Sequence, residues 1–380
     1  MSGYKALYRT YRPQTFEGLI GQDPVVQTLV NQIKSDKIGH AYLFCGSRGT
    51  GKTSAAKIFA RAVNCEHPQN GSPCLTCETC KSFPGMDVVE IDAASNNGVD
   101  EIRELREQVK YPPVNGKYKV YIIDEVHMLS AGAFNALLKT LEEPPDNVIF
   151  ILATTEVQKL PATILSRCMR FDFRLVPDAP LAVLVEKILK ENGSKPTKEA
   201  VALIVRAAEG GVRDALSIAD MCLSYKTGAL GYDDVLAVIG GSDGAEVTAL
   251  AVAVLKSDAA AALTTIDALA KSGKSMSLLN KALLSTLRDL SVCKLTENPN
   301  EILKLPEARL NAVKASAAEA SADRILRVME GFSQLDQEFR YSTSPQLVME
   351  SAALRLCGAH DRLADLERRL QEIEVRLRRP

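Results

Sequence analysis

The sequence lacks long apolar runs, a strong net charge, low-complexity segments and internal repeats. No run reaches the roughly 18 apolar residues that a membrane-spanning helix needs, so we expect no membrane span. The formal net charge is −1, which argues against a simple polybasic nucleic-acid binder but leaves local basic patches open. The first residues, MSGYKALYRTYRP, have no apolar core of the kind found in secretory signals, so we expect a cytoplasmic protein.

The composition is that of an ordinary globular protein. The chain has 380 residues, of which 46% are hydrophobic and 24% charged. This length predicts two or three domains. The nine cysteines are not expected to form disulfides, because thiols stay reduced in the cytoplasm.

Short apolar runs alternate with helix-like segments in the first part of the chain. Continuous apolar strands separated by helices are typical of a parallel sheet that is covered on both faces. Strand signals fade after Pro177, and the remainder is rich in Ala, Leu and charged residues at helical spacing. The predicted strands are His40–Gly46, Asp87–Ala94, Lys119–Glu125 and Asn147–Thr155.

A phosphate-binding loop is the strongest motif. The stretch GSRGTGKT fits G-x-x-x-x-G-K-[ST], with an apolar strand before it and a helix after it. Its backbone N–H groups can surround phosphate oxygens, its lysine can compensate the outer phosphates, and its threonine hydroxyl can ligate Mg²⁺. The residues expected to bind the nucleotide here are Gly46, Ser47, Arg48, Gly49, Thr50, Gly51, Lys52 and Thr53, although Arg48 stands at a variable position and is assigned no role of its own.

Acidic and hydroxyl side chains end the next two strands. Asp124 and Glu125 follow VYII, where Asp124 can hold Mg²⁺ and Glu125 can orient or deprotonate the attacking water. Thr155, in LATTE, is a candidate to sense the γ-phosphate or to hold the water. The alternatives are a strand that ends in solvated acids and a threonine chosen for β-propensity.

Four cysteines lie close behind the phosphate loop, with the spacing C-x8-C-x2-C-x2-C. Four thiolates form the tetrahedral set that Zn²⁺ prefers in structural sites, and they leave no open position for catalysis. A metal would fold an insert, residues 65–80, that is too small to bury a core of its own. Free thiols and an iron–sulfur cluster are the alternatives. The ligands are Cys65, Cys74, Cys77 and Cys80.

The motifs GSRGTGKT, IIDEVHML, LATTE and ILSRC, in this order, resemble the AAA+ ATPases of clamp loaders. The cysteine insert, YRTYRPQTFEGLIGQ at the start and GGVRDALS later narrow the resemblance to the gamma/tau subunits of bacterial DNA polymerase III. The matching motifs run from about Tyr8 to Ser217.

The resemblance implies an α/β fold with three domains. Residues 1–176 would form an AAA+ P-loop domain, with a parallel sheet between helices and the small zinc insert. Residues 177–240 would form a small helical lid, and residues 241–380 an all-α collar for oligomerisation. ATP, Mg²⁺ and Zn²⁺ are the implied cofactors.

The resemblance also implies roles for residues outside the loop. Arg167, in the Ser-Arg-Cys motif, would reach the ATP of a neighbouring subunit, with a surface salt bridge as the alternative. Arg213 matches the sensor-2 arginine that touches the γ-phosphate in cis, with an ion pair to Asp214 as the alternative. Tyr8 and Arg12 would border the adenine and ribose, unless this N-terminal strap simply packs on the sheet.

An apolar seam is predicted near the end of the chain, as a coiled coil or as a packed terminal helix. It has a 3-4-3-4 spacing flanked by Arg and Glu. Its members are Leu363, Leu366, Leu370, Ile373 and Leu377.

The implied function is the loading of a sliding clamp onto primed DNA, driven by ATP binding and hydrolysis. The implied partners are the other clamp-loader subunits in a hetero-oligomeric ring, copies of the chain itself, the sliding clamp and primer–template DNA. Ser95, Asn97 and Arg103 are candidates for contact with the DNA backbone. The alternatives are a helicase loader or branch-migration motor, a scaffold that binds nucleotide without hydrolysing it, and a zinc-based nucleic-acid module.

Overall fold

The computed structural model describes residues 4–239, 244–303 and 305–358. The chain divides into two compact units, Met1–Leu230 and Gly231–Pro380. None of the described helices is long and apolar enough to span a membrane.

Five parallel strands form the centre of the first unit, in the order β2-β3-β4-β1-β5. The four predicted strands are confirmed, and each is slightly shorter than predicted. The fifth was not predicted, because the exposed charged residues Arg170 and Asp172 interrupt any apolar run. The strands are β1 (Ala41–Cys45), β2 (Val88–Asp92), β3 (Lys119–Asp124), β4 (Val148–Thr154) and β5 (Met169–Asp172).

Helices cover both faces of this sheet, as the continuous apolar strands predicted. Alternate residues of β1 and β4 enter two separate cores, so that Phe44 packs on one face and Leu43 on the other. Helices α2 and α3 contribute to the first core, and α5 and α6 to the second. The helices of this layer are α1 (Leu7–Thr10), α2 (Asp23–Lys34), α3 (Lys52–Val63), α4 (Glu78–Lys81), α5 (Val99–Val109), α6 (Ala131–Glu142) and α7 (Ala162–Leu165).

A small helical bundle completes the first unit. It consists of α8 (Asp178–Glu191), α9 (Lys198–Ala207) and α10 (Val212–Tyr225). A pair of two-residue parallel strands, β6 (Lys195–Pro196) and β7 (Ala229–Leu230), joins the ends of its loops.

The second unit is helical throughout its described part. The 20-residue helix α14 packs against α12, α16, α17 and α18. The buried guanidinium of Arg324 donates hydrogen bonds to the carbonyl oxygens of Val254 and Leu356 at 2.8 Å each, and helix C-termini favour such a cation. The helices are α11 (Tyr232–Val238), α12 (Gly244–Leu255), α13 (Ala259–Lys271), α14 (Met276–Leu295), α15 (Pro299–Leu303), α16 (Glu307–Ala318), α17 (Ala322–Ser333) and α18 (Leu335–Tyr341), followed by a helix at 345–358.

Two expectations stay predictions at this stage. The apolar seam from Leu363 to Leu377 lies outside the described residues. The three-domain division, with bounds at 176 and 240, is not decided by the two compact units.

A single carboxylate fixes the loop that precedes β3. Asp87 accepts hydrogen bonds from the backbone N–H groups of Val114 at 2.6 Å, Asn115 at 2.7 Å and Gly116 at 2.7 Å. Burial of Asp87 raises its pKa, but these three bonds outweigh the burial and lower the pKa below its ordinary value. The loop therefore depends on the ionised carboxylate.

We predict that Asp87→Asn lowers the free energy of unfolding by about 1–3 kcal/mol, because the neutral amide satisfies these donors poorly. Denaturant unfolding near neutral pH measures this. Since the native pKa is lowered, the wild-type advantage is present above the ordinary carboxyl pKa and shrinks as the pH falls through the lowered value. Asp100→Asn, at an exposed helix position, is the control. Equal stability of the two variants at neutral pH would contradict the role given to Asp87.

Candidate nucleotide site and cysteine cluster

The predicted phosphate loop connects β1 to α3 at the carboxyl edge of the sheet. Its first residue is held by β4, because Gly46 N donates to the carbonyl oxygen of Thr154 at 3.2 Å. Gly46 has φ 147°, and a Cβ here would clash with the carbonyl oxygen of Phe173. Only glycine fits this position, which explains the first residue of the motif.

Lys52 lies over the loop that it follows. Its Nζ donates to the carbonyl oxygens of Gly46 at 2.7 Å and Ser47 at 2.9 Å. Burial lowers the pKa of Lys52, while the nearby carboxylates of Glu125 and Asp124 raise it. The ammonium is thus placed at the loop mouth, between backbone oxygens and two acids.

The two predicted Mg²⁺ ligands are in direct contact. Thr53 Oγ1 donates to Asp124 Oδ2 at 2.7 Å, across 71 residues of sequence. A hydroxyl and a carboxylate are oxygen ligands of the kind that Mg²⁺ prefers. These residues fit the ion that the motifs imply.

Glu125 and Thr155 also meet. Thr155 donates to Glu125 Oε2 from its hydroxyl at 3.0 Å and from its backbone N–H at 3.3 Å. Glu125 has φ 47°, a left-handed conformation that turns the chain sharply after β3. This turn brings the carboxylate to the end of β4.

His127 belongs to the same cluster, although sequence reasoning missed it. Its Nδ1 lies 3.0 Å from Thr154 Oγ1 and 3.4 Å from Glu125 Oε2, and its Nε2 lies 3.4 Å from Glu156 Oε1. The signal was present in the motif IIDEVHML, where a histidine follows the acid pair by two residues.

A cavity of about 120 Å³ collects most of the predicted phosphate-site residues. Because its walls are mainly charged or polar, it suits a polyanion with a counter-ion. Its lining is Arg12, Arg48, Gly49, Gly51, Lys52, Thr53, Ser54, Asp124, Glu125 and Arg213.

A second cavity, of about 100 Å³, adjoins the loop on the side of the helical bundle. Leu19 and Ile20 form one apolar wall, and Leu184 and Leu216 of the bundle form the other. The predicted adenine and ribose residues, Tyr8 and Arg12, both line it. Apolar and aromatic walls beside a phosphate site suit a purine base.

The N-terminal helix α1 packs on helix α10. The backbone N–H of Leu7 donates to Asp220 Oδ2 at 3.2 Å, and α1 lies along α10.

The bundle contacts the phosphate loop directly. The backbone N–H of Val212, at the start of α10, donates to the carbonyl oxygen of Gly49 at 3.0 Å. Next to it, the guanidinium of Arg213 lies 4.9 Å from the centre of the Tyr8 ring and lines both cavities. Within the described residues, Arg213 forms no ion pair with Asp214.

Arg167 lies apart from these cavities. Its guanidinium forms an ion pair with Glu142 at 2.8 Å and donates to the carbonyl oxygen of Thr163 at 2.8 Å. Its side chain is one-third exposed. In its own chain Arg167 therefore does not line the described phosphate cavity.

The candidate DNA-contact residues lie on an exposed loop and helix after β2. Ser95 and Asn97 are exposed, and Ser95 Oγ donates to Asp92 at 3.1 Å. Arg103 is paired with Asp100 at 3.0 Å. The geometry leaves all three accessible but does not assign them a ligand.

The four cysteines converge as their spacing predicted. All four Sγ atoms lie within 4.8 Å of one another, and two of the pairs are 4.0 Å apart. Zn–S bonds of about 2.3 Å in a tetrahedron place sulfurs about 3.8 Å apart, so the cluster fits zinc. His67 is not in the set.

The surroundings of the cluster shift the pKa values of its thiols in opposite directions. Hydrogen bonds from the Thr76 side chain and from the amides of Thr76 and Cys77 lower the pKa of Cys74 to about 5. Burial raises the pKa of Cys80 and of Cys65. A bound divalent ion would favour the thiolate form of all four, because it would offset the repulsion between them.

Curated relatives match almost the whole chain. The tau subunit of DNA polymerase III from Bacillus subtilis is 41% identical over 99% of this chain and 68% of its own length. The chain belongs to the gamma/tau subunit family of DNA polymerase III.

Other members of the gamma/tau family cover the chain similarly. The gamma/tau subunit of Mycobacterium bovis is 38% identical over 98% of this chain, and the tau subunit of Escherichia coli is 40% identical over 77%. The chain spans about two thirds of the first of these relatives and about half of the second, with 66% and 46% of their lengths covered.

Family models divide the gamma/tau chain into three matched segments. Residues 21–177 match "DNA polymerase III, delta subunit", and residues 182–228 match "DNA polymerase III clamp loader subunit, ATPase lid domain". Residues 230–373 match "DNA polymerase III subunits gamma and tau domain III". The predicted family is confirmed, and the chain is an ATPase subunit of the clamp-loader class.

Solved structures that resemble this gamma/tau chain are distant. The RuvB branch migration motor of Thermotoga maritima aligns over 86% of this chain and 91% of its own, with 18% identity and a TM-score of 0.48. The clamp loader delta protein of Bacillus subtilis aligns over 87% and 99%, with 12% identity and a TM-score of 0.35.

We predict that the chain carries one zinc ion and that replacing both Cys74 and Cys77 by Ser removes it, because two of four ligands are lost. Metal analysis of the purified protein measures this. Cys293→Ser, in α14 and outside the cluster, should leave the zinc content unchanged. Iron with acid-labile sulfide, or no metal in the wild type, would contradict zinc at this site.

Proposed function

We propose that this chain binds MgATP at the carboxyl edge of its sheet and uses hydrolysis to load a sliding clamp onto primed DNA. The observation that carries this proposal is the convergence of Lys52, the Thr53–Asp124 pair and Glu125 on one cavity beside an apolar base pocket. These groups supply charge compensation, metal ligands and a base, which is what phosphoryl transfer requires.

The triphosphate would be bound by the loop amides, Lys52 and Arg213. Thr53 and Asp124 would hold Mg²⁺, which neutralises charge on the outer phosphates. Within the described residues, the Lys52 ammonium donates to two neutral carbonyl oxygens, and charged phosphate oxygens are better partners for it. The loop amides add donors that cost no reorganisation.

Glu125 would orient and deprotonate the attacking water. Thr155 contacts its carboxylate, so the two can place one water between them and the γ-phosphate. The nearby imidazole of His127 supports this arrangement from the buried side. A non-hydrolysing scaffold would have no need for this constellation.

Nucleotide binding would be communicated to the helical bundle. The base pocket has one wall on each part of the first unit, and Val212 bonds directly to the loop. A nucleotide filling both cavities would therefore favour one placement of the bundle over others, which is the differential contact that a switch needs.

Arg167 would act on a neighbouring subunit. It lies outside the described phosphate cavity of its own chain, and its ion pair with Glu142 is partly exposed and weak enough to exchange. This supports a ring in which copies of the chain and other clamp-loader subunits share ATP sites.

The remaining features complete the proposal. Zinc would hold the cysteine insert as a structural ion, and the loop with Ser95 and Asn97 would face the DNA backbone. The P-loop domain, lid and collar would comprise residues 1–176, 177–240 and 241–380. The sliding clamp and primer–template DNA would be partners in the cytoplasm, where replication takes place.

We predict that Glu125→Gln binds ATP with nearly wild-type affinity but hydrolyses it about 10²–10⁴ times more slowly, because the amide cannot accept the proton of the water. Equilibrium binding and steady-state phosphate release measure the two effects. Glu143→Gln, at an exposed helix end, is the control. Hydrolysis by Glu125→Gln at the wild-type rate would remove the proposed base.

We predict that two inactive variants of the chain restore activity when mixed. Lys52→Ala should bind no nucleotide but still offer Arg167. Arg167→Ala should bind ATP normally but offer nothing to its neighbour. In mixed complexes, the ATP site of an Arg167→Ala chain has its own Lys52 and receives Arg167 from a neighbouring Lys52→Ala chain. DNA- and clamp-stimulated turnover should therefore rise well above that of either variant alone.

The matched control for this experiment is Arg170→Ala. Arg170 lies three residues away, is half exposed and pairs with Asp172, so its loss should leave stimulated turnover near the wild-type value. A loss of about 10³ is expected for Arg167→Ala if it acts as an arginine finger. Failure of the mixture to regain turnover would place Arg167 in cis or in a structural role.

A further inference from the structure

The cysteine module, residues 65–80, touches the segment that leads into the base pocket. We name that segment the base strap, residues 15–22. Ser72 of the module is buried, and its hydroxyl accepts a hydrogen bond from Phe16 N at 3.2 Å. The same hydroxyl donates to the Glu17 carboxylate, with Oε2 at 2.9 Å.

In a second contact, the module packs against α2, the helix that follows the strap. Gly71 is buried at φ 89°, and a Cβ there would lie 2.8 Å from Val30 Cγ1 and 3.2 Å from Val30 Cα. The backbone of the module therefore approaches α2 as closely as it can. Together, Gly71 and Ser72 fix the module at one place on the domain.

The base strap continues from this contact to the nucleotide. Leu19 and Ile20 form the wall of the base cavity, two and three residues beyond Glu17. Gln22 then donates to the carbonyl oxygens of Thr50 at 3.3 Å and Arg174 at 2.7 Å. The strap is thus held at both ends, by the module at Phe16 and Glu17 and by Gln22 at the phosphate loop.

The hydrogen bond from Ser72 to Glu17 is charge-assisted. Burial raises the pKa of Glu17, but hydrogen bonds from its own amide, from Thr15 and from Ser72 outweigh this and lower it. Glu17 is therefore an ionised acceptor at neutral pH, and charge-assisted hydrogen bonds are stronger than neutral ones.

We propose that the cysteine module positions the base strap through Ser72 and Glu17, so that zinc retention and binding of the adenine base stabilise each other. This rests on the proposed MgATP site. The module has almost no apolar side chains of its own, so its shape depends on the crosslink between its cysteines. Losing that crosslink releases Ser72, and the strap then keeps its anchor at Gln22 and the core packing of Phe16 and Leu19 but loses its polar contact with the module.

The first test distinguishes an effect on binding of the adenine base from an effect on binding of the phosphates. Ser72→Ala should retain one zinc and weaken ATP binding about tenfold, within the range of typical couplings between sites. Binding of inorganic triphosphate, which lacks the base, should change little. Ser82→Ala, an exposed serine that bonds within its own helical turn, is the matched control and should change neither affinity.

The second test uses reciprocity. Zinc affinity, measured by equilibrium competition with a chelator, should rise in saturating ADP by the same factor by which zinc raises ADP affinity. Ser72→Ala should abolish this increase. Glu17→Ala should reproduce the effect of Ser72→Ala, and the double variant should be no worse than either single one.

Each outcome decides the proposal. It is overturned if Ser72→Ala binds ATP with the wild-type affinity, or if this variant loses affinity for ATP and for triphosphate by the same factor. It is also overturned if the zinc affinity of the wild type is the same with and without ADP. A wild-type chain that binds neither ATP nor triphosphate would instead contradict the proposed function. A wild-type chain without zinc that binds ATP normally would overturn the coupling alone.

Discussion

The shape of the phosphate loop is the constraint on which the rest of the first unit depends. A loop whose amides point at a ligand cannot use those amides to fix its own shape, so much of its backbone is held from outside. Gly46 is held by β4, Gly49 by the first residue of α10, and Thr50 by Gln22. Sheet, helical bundle and base strap therefore meet at one loop, and a nucleotide bound there would contact all three.

The cysteine module is too small to fold around an apolar core of its own. A loop of Gly, Pro, Asn and Ser cannot bury enough apolar surface to fold by itself, and four converging cysteines that bind one ion would replace that core. The same rigidity makes the module useful as a support, because its buried Ser72 holds the backbone next to the base pocket. The cysteine cluster and the proposed base pocket thereby share one short segment of chain.

The charged side chains of the candidate catalytic set lie in two different places. Lys52, Asp124 and Glu125 stand within one cavity, where each compensates another. Arg167 stands outside it, with Glu142 as a partly exposed partner. Under the proposed function, the chain would carry the binding site and the base, and Arg167 would serve the site of another subunit, so that turnover would require assembly.

The sequence by itself determined four of the five strands, the phosphate loop, the acid pair and the cysteine cluster, because each is encoded within a few residues by periodicity or spacing. It did not determine the edge strand β5, whose alternation is too short to read, or the placement of the N-terminal strap on α10. The contacts of Gln22, Ser72 and Val212 were also invisible. They join segments about 30 to 160 residues apart, and hydrogen bonds between distant segments depend on how the elements pack, which no local pattern records.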